Sequence, residues 1–178
     1  MYLGIYDNIT IQNLKLKGTK PLLIRVLEPS YLKSSIPYGI KNINEYVDIL
    51  ELYFDDIINQ NIQKSSDYIY FSKDMAKSLN VFILKNDFDE IAVHCSAGIS
   101  RSPAIGLCIS KILDNKSIEN EIINYSHFIP NKQVLEVFNS FNYVKKIVSK
   151  EIVFRNPEIY HFNDASKDLI DFLDYDER

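Results

Sequence analysis

The sequence predicts an α/β fold in which a central, mostly parallel sheet is flanked by helices. Three short apolar runs bounded by turn residues are typical of buried strands, and they lie at residues 22–27, 49–54 and 91–93. Segments with a helical spacing of apolar residues alternate with these runs, as in folds whose parallel strands are joined by right-handed crossovers. The 178 residues suffice for one domain with a sizeable core but not for two ordinary ones.

The first two strands have clear ends. Residues 22–27 are apolar except for one arginine and stop at a Glu-Pro pair, which a central strand does not continue through. Residues 29–44 then carry proline, glycine, serine and asparagine, so they are predicted as a loop. A loop of this length is often functional, which suggests a place at a rim or in a lid. The second run, residues 49–54, ends at a pair of aspartates.

The helices are predicted from apolar spacing and from capping residues. Residues 72–85 place apolar side chains at i, i+4, i+7 and i+8, and the buried strand at 91–93 follows. A helix over 102–113 begins with a serine as N-cap and a proline at its first position. We expect another helix after Ser117, and a last one over 134–148, where apolar residues recur every three or four positions.

Charge divides the chain into a near-neutral domain and an acidic tail. The net charge is −4, but residues 151–178 hold 8 acidic against 3 basic side chains, which leaves 16 against 17 in residues 1–150. We therefore assign residues 1–150 to a catalytic domain and 151–178 to an acidic extension. After Pro157 the extension is predicted to form a short amphipathic helix that packs on the domain, with an exposed partner-binding tail as the alternative. Without a basic run or stripe, the sequence predicts neither nucleic-acid binding nor attachment to anionic membranes.

The N-terminus and the cysteine count indicate a cytoplasmic protein. The first residues lack a basic segment followed by a long apolar one, so they do not resemble a signal peptide. Tyr2 excludes N-myristoylation, and no apolar run approaches the length of a transmembrane helix. Two cysteines cannot form a disulfide framework, and they suggest a reducing compartment.

The most informative segment joins the third strand to the following helix. We call residues 95–101 the cysteine loop, because this turn begins with Cys95 and ends with Arg101. Backbone N–H groups in such a turn can converge on one point, and the helix N-terminus adds partial positive charge there. Gly98 permits a backbone angle that other residues resist. The loop is therefore predicted to bind an anion, with backbone amides supplied by Ser96, Ala97, Gly98, Ile99, Ser100 and Arg101.

The side chains around this anion site are those of a nucleophilic mechanism. The helix start and the nearby guanidinium favour the thiolate form of Cys95, which would sit beneath a bound phosphate. Arg101 can hold two phosphoryl oxygens with its planar fork. Ser102 can donate a hydrogen bond to the sulfur, and His94, which points to the other face of its strand, is expected to bond the loop backbone and set its shape.

The segment from His94 to Pro103 resembles the signature loop of cysteine-dependent protein tyrosine phosphatases, His-Cys-x-x-Gly-x-x-Arg-Ser, and is most similar to the dual-specificity branch. Pro130-Asn131 matches a Pro-Asn pair that precedes the last helix in such domains, and the looser resemblance covers residues 20–148. It implies a phosphatase fold of the dual-specificity type and hydrolysis of phosphate monoesters through a cysteinyl-phosphate intermediate, without a metal or other cofactor.

The resemblance also implies a general acid, an aspartate at the sheet edge that holds Cys95. Asp56 is preferred because residues 52, 54 and 56 keep the alternating phase of the strand; Asp55 remains the alternative, and both could instead cap a turn. Asp67 and Asp74 are further candidates, although Asp74 belongs to a helical pattern.

The resemblance further implies a phosphorylated protein as substrate, with phosphotyrosine preferred and phosphoserine or phosphothreonine as additional substrates. Three alternatives stay open at this stage: a phosphoinositide phosphatase, an RNA 5′-phosphatase, and a pseudophosphatase that binds phosphoproteins without turnover. Cys108 is interpreted as a small buried hydrophobe, although a protective disulfide with an oxidised Cys95 is an alternative. His127 and His161 lack ligand spacing, so no metal site is predicted.

Overall fold

Five parallel strands form the central sheet, in the order β3-β2-β4-β1-β5. The computed structural model describes residues 1–33, 39–57 and 67–155. The strands are β1 (Tyr2–Tyr6), β2 (Pro21–Leu27), β3 (Asp48–Tyr53), β4 (Glu90–His94) and β5 (Val153–Arg155). The helices are α1 (Asn8–Gln12), α2 (Lys73–Lys85), α3 (Arg101–Ile112), α4 (Lys116–Asn124) and α5 (Lys132–Asn139). The α/β prediction is confirmed, and all the strand pairs are parallel.

The parallel arrangement brings three carboxylate residues and one cysteine to one edge of the sheet. Asp7, Glu28 and Cys95 each follow directly after the last residue of β1, β2 and β4, and Asp56 follows β3 by three positions. Because the carboxyl ends of parallel strands meet at the same edge, this edge is where an α/β sheet builds its binding site. The three strands predicted from the sequence thus lie where the site requires them.

Two strands were not predicted. β1 pairs with β4 over five residues, and β5 pairs with β1 at the edge of the sheet. In β1, Gly4 leaves room for the Tyr6 ring, because a Cβ at Gly4 would lie 2.1 Å from the Tyr6 hydroxyl oxygen. A short strand interrupted by glycine has little sequence signal of its own.

Two features of the predicted helices are wrong. α3 begins at Arg101 with Ser100 as its N-cap residue, not at Ser102. α5 ends at Asn139, and residues 140–149 are not helical. The backbone N–H and C=O of Val144 are instead hydrogen-bonded to the Asn80 side chain on α2, at 2.9 and 2.8 Å. The apolar spacing beyond residue 139 therefore reflects a segment laid across α2.

The two faces of the sheet are covered unequally. One face packs on α2, α3, α4 and α5 and contains most of the core, including Leu3, Ile24 and Val93. α3 is buried along nearly its whole length, so it runs through the middle of this layer. The other face carries a smaller cluster that includes Tyr6 and Tyr46. Cys95 belongs to the larger cluster and is 2% exposed.

Several predictions concern segments that the structure describes only in part. Of the predicted loop at 29–44, residues 29–33 and 43–45 form short 3-10 helices, and residues 34–38 lie outside the described part. The helix predicted after Pro157 also lies outside it. The division at residue 150 stays a prediction, and β5 joins the start of the extension to the sheet. Among the described residues, no helix is both long and apolar enough to span a bilayer.

Candidate active site

The Cys95 side chain lies at the base of the cysteine loop, with two donors close to its sulfur. The backbone N–H of Gly98 donates to Sγ at 3.2 Å, and Ser102 Oγ lies 3.1 Å from the same atom. Both contacts are buried. Hydrogen bonds of this kind stabilise negative charge on sulfur, as a nucleophilic or leaving thiolate requires.

Three carbonyl groups of the loop accept hydrogen bonds from neighbouring segments of the chain. The carbonyl oxygens of Ser96, Ile99 and Ser100 accept hydrogen bonds from the backbone N–H groups of Asn8, Ile129 and Asn131, at 3.1, 2.9 and 3.2 Å. Since the C=O and N–H of a peptide unit point in opposite directions, carbonyls that face outward turn amides toward the inside of the loop. This arrangement supplies the nest of donors that the sequence predicts for an anion.

Gly98 is required by the shape of the loop. Its φ angle is +71°, in the left-handed region that favours glycine. A Cβ at this position would also lie 2.9 Å from the backbone nitrogen of Asp7. The start of α1 is thus packed directly against the loop, and Asp7 caps this helix by accepting from the Ile9 and Thr10 amides.

Arg101 is a buried guanidinium beside the loop, with 3% of its surface exposed. Its Nη1 donates to the carbonyl oxygen of Phe54 at 3.1 Å, and its Nη2 donates to Ser96 Oγ at 3.2 Å and to Glu28 Oε1 at 3.3 Å. Its buried Nε has no hydrogen-bond partner in the described part of the chain and lies 3.7 Å from Asp56 Oδ2. A buried donor without a partner is costly, so this nitrogen is suited to an oxyanion.

Asp56 is held against the loop by two neutral donors. Its Oδ1 accepts from Ser100 Oγ at 2.7 Å and from Asn131 Nδ2 at 2.8 Å. The Oδ1 atom of Asn131 also accepts from the Val134 N–H at 3.2 Å and so caps α5. The Ser100 hydroxyl donates to the aspartate, and this N-cap residue makes no side-chain cap to its own helix.

The other candidate aspartates lie elsewhere. The Asp55 carboxylate accepts from the backbone N–H of Ile69 at 2.8 Å, and its own N–H donates to the Ile69 carbonyl, so Asp55 is bonded to the segment that precedes α2. Asp74 lies in the first turn of α2, and Asp67 is exposed in the segment before it. Among these four residues, Asp56 is the one whose carboxylate is bonded to the cysteine loop.

The contacts of two residues at this site were not predicted from the sequence. Glu28 accepts from Ser96 Oγ at 3.1 Å as well as from Arg101. The sequence feature that could have indicated Glu28 is a polar residue at the end of a buried strand, which is also the feature that indicated Asp56. Asn131 was noted for its match to a Pro-Asn pair, but its contact with Asp56 depends on the position of α5 and has no local signal.

His94 lies on the sheet face opposite Cys95, as predicted. Neither ring nitrogen meets a hydrogen-bond partner among the described residues, but the Cys95 backbone, which belongs to the loop, acts on the pKa of the ring in the direction opposite to burial. That the ring sets the shape of the loop stays a prediction. Burial, together with the Arg25 guanidinium, lowers the pKa of His94 from 6.5 to about 3, so the ring is neutral at physiological pH.

The remaining candidates are accounted for as follows. Cys108 is fully buried in α3, which confirms its interpretation as a small core residue, and burial raises the pKa of its thiol. His127 is exposed, and its ring lies near that of Tyr125; His161 lies outside the described residues. Within residues 1–33, 39–57 and 67–155, no group of three or more His, Cys, Asp or Glu side chains is placed to hold a metal ion.

Comparison with known proteins adds little to this geometry. No family model matches the chain, and no curated protein matches it. Among solved structures, the chain is similar to a crystal structure of Tk-PTP in the active form, with 14% sequence identity and a TM-score of 0.42. The alignment covers 78% of this chain and 88% of that chain. Because both identity and TM-score are low, the function proposed below depends on the site alone.

Proposed function

We propose that the protein is a cytoplasmic, cysteine-dependent phosphatase of the dual-specificity type that hydrolyses phosphotyrosine in proteins, and phosphoserine or phosphothreonine in addition. The observation that carries the proposal is the pairing of Cys95 with Arg101. The Cys95 sulfur accepts a hydrogen bond from the Gly98 N–H and lies 3.1 Å from Ser102 Oγ, and beside it the buried Arg101 keeps one donor without a partner among the described residues. The reaction uses no metal or other cofactor.

In the first step, Cys95 Sγ attacks phosphorus and the bond to the substrate oxygen breaks. The loop amides and Arg101 bind the three equatorial oxygens, which carry the negative charge of the transition state. Asp56 gives a proton to the leaving oxygen. The products of this step are the free alcohol and a phosphoryl group on the Cys95 sulfur.

In the second step, water attacks the phosphorus and the P–S bond breaks. Asp56, now a carboxylate, takes a proton from the water, so it returns to its initial state. The sulfur leaves as a thiolate, which Ser102 Oγ and the Gly98 N–H stabilise by hydrogen bonding. The contacts of Asp56 with Ser100 and Asn131 support its assignment over Asp55, whose carboxylate accepts from the backbone N–H of Ile69.

Turnover of a small aryl phosphate by the purified protein tests the reaction. Cys95→Ser is expected to abolish turnover and to keep the fold, while the matched Cys108→Ala variant keeps turnover. Asp56→Asn is expected to lower kcat by roughly a hundredfold or more, and Asp55→Asn by much less. Rapid quenching of Asp56→Asn, followed by mass spectrometry, should detect a phosphoryl group on Cys95.

Each assignment can be contradicted separately. Full activity of Cys95→Ser would show that Cys95 is not the nucleophile. A larger loss of kcat in Asp55→Asn than in Asp56→Asn would assign the general acid to Asp55. A wild-type protein that binds phosphotyrosine peptides but never turns them over would instead be a pseudophosphatase.

A further inference from the structure

Three exposed isoleucines border the cysteine loop, and we call Ile9, Ile99 and Ile129 the isoleucine rim. Their exposed fractions are 67%, 43% and 63%. Large apolar side chains that are exposed together at a site are typical of a surface that contacts a ligand. Each comes from a different segment, so the rim is produced by the fold and not by a run of apolar sequence.

The rim residues are fixed to the loop through the backbone. Ile99 is itself a loop residue, and the N–H of Ile129 donates to its carbonyl oxygen at 2.9 Å. Ile9 follows Asn8, whose N–H donates to the Ser96 carbonyl oxygen at 3.1 Å. The backbone at or next to each of these positions is therefore tied to the cysteine loop.

Apart from Arg101, the charged side chains bonded to the loop in the described part of the chain are acidic. Glu28 and Asp56 contact it from the ends of β2 and β3, and their side chains are 45% and 29% exposed. Both carboxylates face Arg101, so the cation that binds the phosphate is already balanced by two negative groups. A substrate that brings further negative charge next to its phosphate is repelled here, whereas an apolar one buries surface against the rim.

We propose that the isoleucine rim binds apolar side chains next to the phosphorylated residue, so that the enzyme prefers phosphopeptides with apolar neighbours over those with acidic neighbours. This inference rests on the proposed phosphatase function. It also disfavours substrates with several phosphates close together, since the loop edge offers them carboxylates. Burial of one or two aliphatic side chains corresponds to roughly a ten- to thirtyfold effect on kcat/KM.

Two phosphotyrosine peptides that differ only in the residues flanking the phosphotyrosine, leucine in one and glutamate in the other, provide the test. The wild-type protein should show a kcat/KM at least about tenfold higher for the leucine peptide. The double variant Ile9→Asn, Ile129→Asn should lose most of this preference and keep its activity on a small aryl phosphate. The control is Ile147→Asn, because Ile147 is 97% exposed and lies near the far end of α3.

A variant that gains activity provides a second readout, because a variant that fails to fold loses activity and cannot gain it. Ile129→Lys should raise kcat/KM for the glutamate peptide above the wild-type value. Equal rates for the two peptides in the wild type, or an unchanged preference in the double variant, would overturn the proposal. Absence of aryl phosphate turnover would refute the phosphatase function itself, so the two failures are distinguishable.

Discussion

Acid should destabilise the folded protein through His94. The ring is 1% exposed, and its pKa falls from 6.5 to about 3 because it is buried beside Arg25. Below about pH 6.5 the unfolded chain therefore takes up a proton at this ring that the folded chain does not. The stability contributed by the neutral ring is complete above the unfolded pKa, and it is lost as the pH falls toward the folded one.

The size of the effect follows from these two pKa values. One pKa unit corresponds to about 1.4 kcal/mol. Between about pH 7 and about pH 4.5, uptake of the proton by the unfolded state costs the folded state about 2.5 kcal/mol. Any folded-state pKa below about 4 gives nearly the same result, because the folded ring is still neutral at the lower pH.

Groups that face the ring do not cancel the effect. Arg25 and Tyr6 lie in register with His94 on the neighbouring strands. Burial raises the pKa of Tyr6 to about 12, so its hydroxyl stays neutral throughout this range. Arg25 is paired with Glu51 at 2.6 Å. Because other groups also take up protons in acid, the comparison needs a variant that removes the His94 contribution alone.

Urea unfolding of the wild type and of His94→Gln at about pH 7 and about pH 4.5 provides that comparison. The glutamine is neutral at both values, and every carboxylate titrates in both proteins. We expect the wild type to lose about 2.5 kcal/mol more than the variant between the two conditions, even if the variant is less stable at each. An equal loss in both proteins would mean that the His94 ring is protonated or solvated in the fold.

Three further substitutions test the loop and its supports. Gly98→Ala should lower the free energy of unfolding by about 1–3 kcal/mol, measured by thermal unfolding, and should weaken inhibition by phosphate. The control Gly39→Ala should change neither quantity, because a Cβ there meets no atom within 4 Å. Asn131→Ala should lower kcat, because it removes a hydrogen bond that holds Asp56, the predicted acid. The control Asn115→Ala removes a similar helix cap, from α4, and should lower only the free energy of unfolding, by about 1 kcal/mol. Glu28→Gln should make inorganic phosphate a several-fold stronger competitive inhibitor, since it removes a negative charge beside the loop arginine. An unchanged phosphate inhibition constant would show that this carboxylate does not compete with the anion.

The cysteine loop could be predicted because its chemistry is local. The nucleophile, the glycine, the arginine and the helix start all lie within ten consecutive residues. Asp56 could be predicted as well, since parallel strands bring their carboxyl ends together and the strand before it was clear. The same rule applied to β2 would have found Glu28, which directly follows the strand.

Other features depend on packing that the sequence does not display. Asn131 reaches Asp56 only because α5 begins beside the loop, where the Asn131 N–H also bonds the Ser100 carbonyl. β1 is short and contains Gly4, so its place beside β4 follows from the assembled sheet. The helix predicted as far as residue 148 was too long, because the backbone of Val144 is bonded to Asn80 on α2, while Phe141, Tyr143 and Val148 pack on the core.

The charges around Arg101 suggest that the site stabilises the transition state more than it stabilises bound phosphate. Its guanidinium lies 3.3 Å from the Glu28 carboxylate and 3.7 Å from that of Asp56. Under the proposed mechanism a phosphate competes with both carboxylates for Arg101, so substrate and product phosphate are both bound more weakly. Interactions that act equally on substrate and transition state do not raise kcat, whereas those that strengthen with the charge of the transition state do. We therefore expect the loop amides and Arg101 Nε, which has no hydrogen-bond partner among the described residues, to contribute more to the transition state than to the binding of free phosphate.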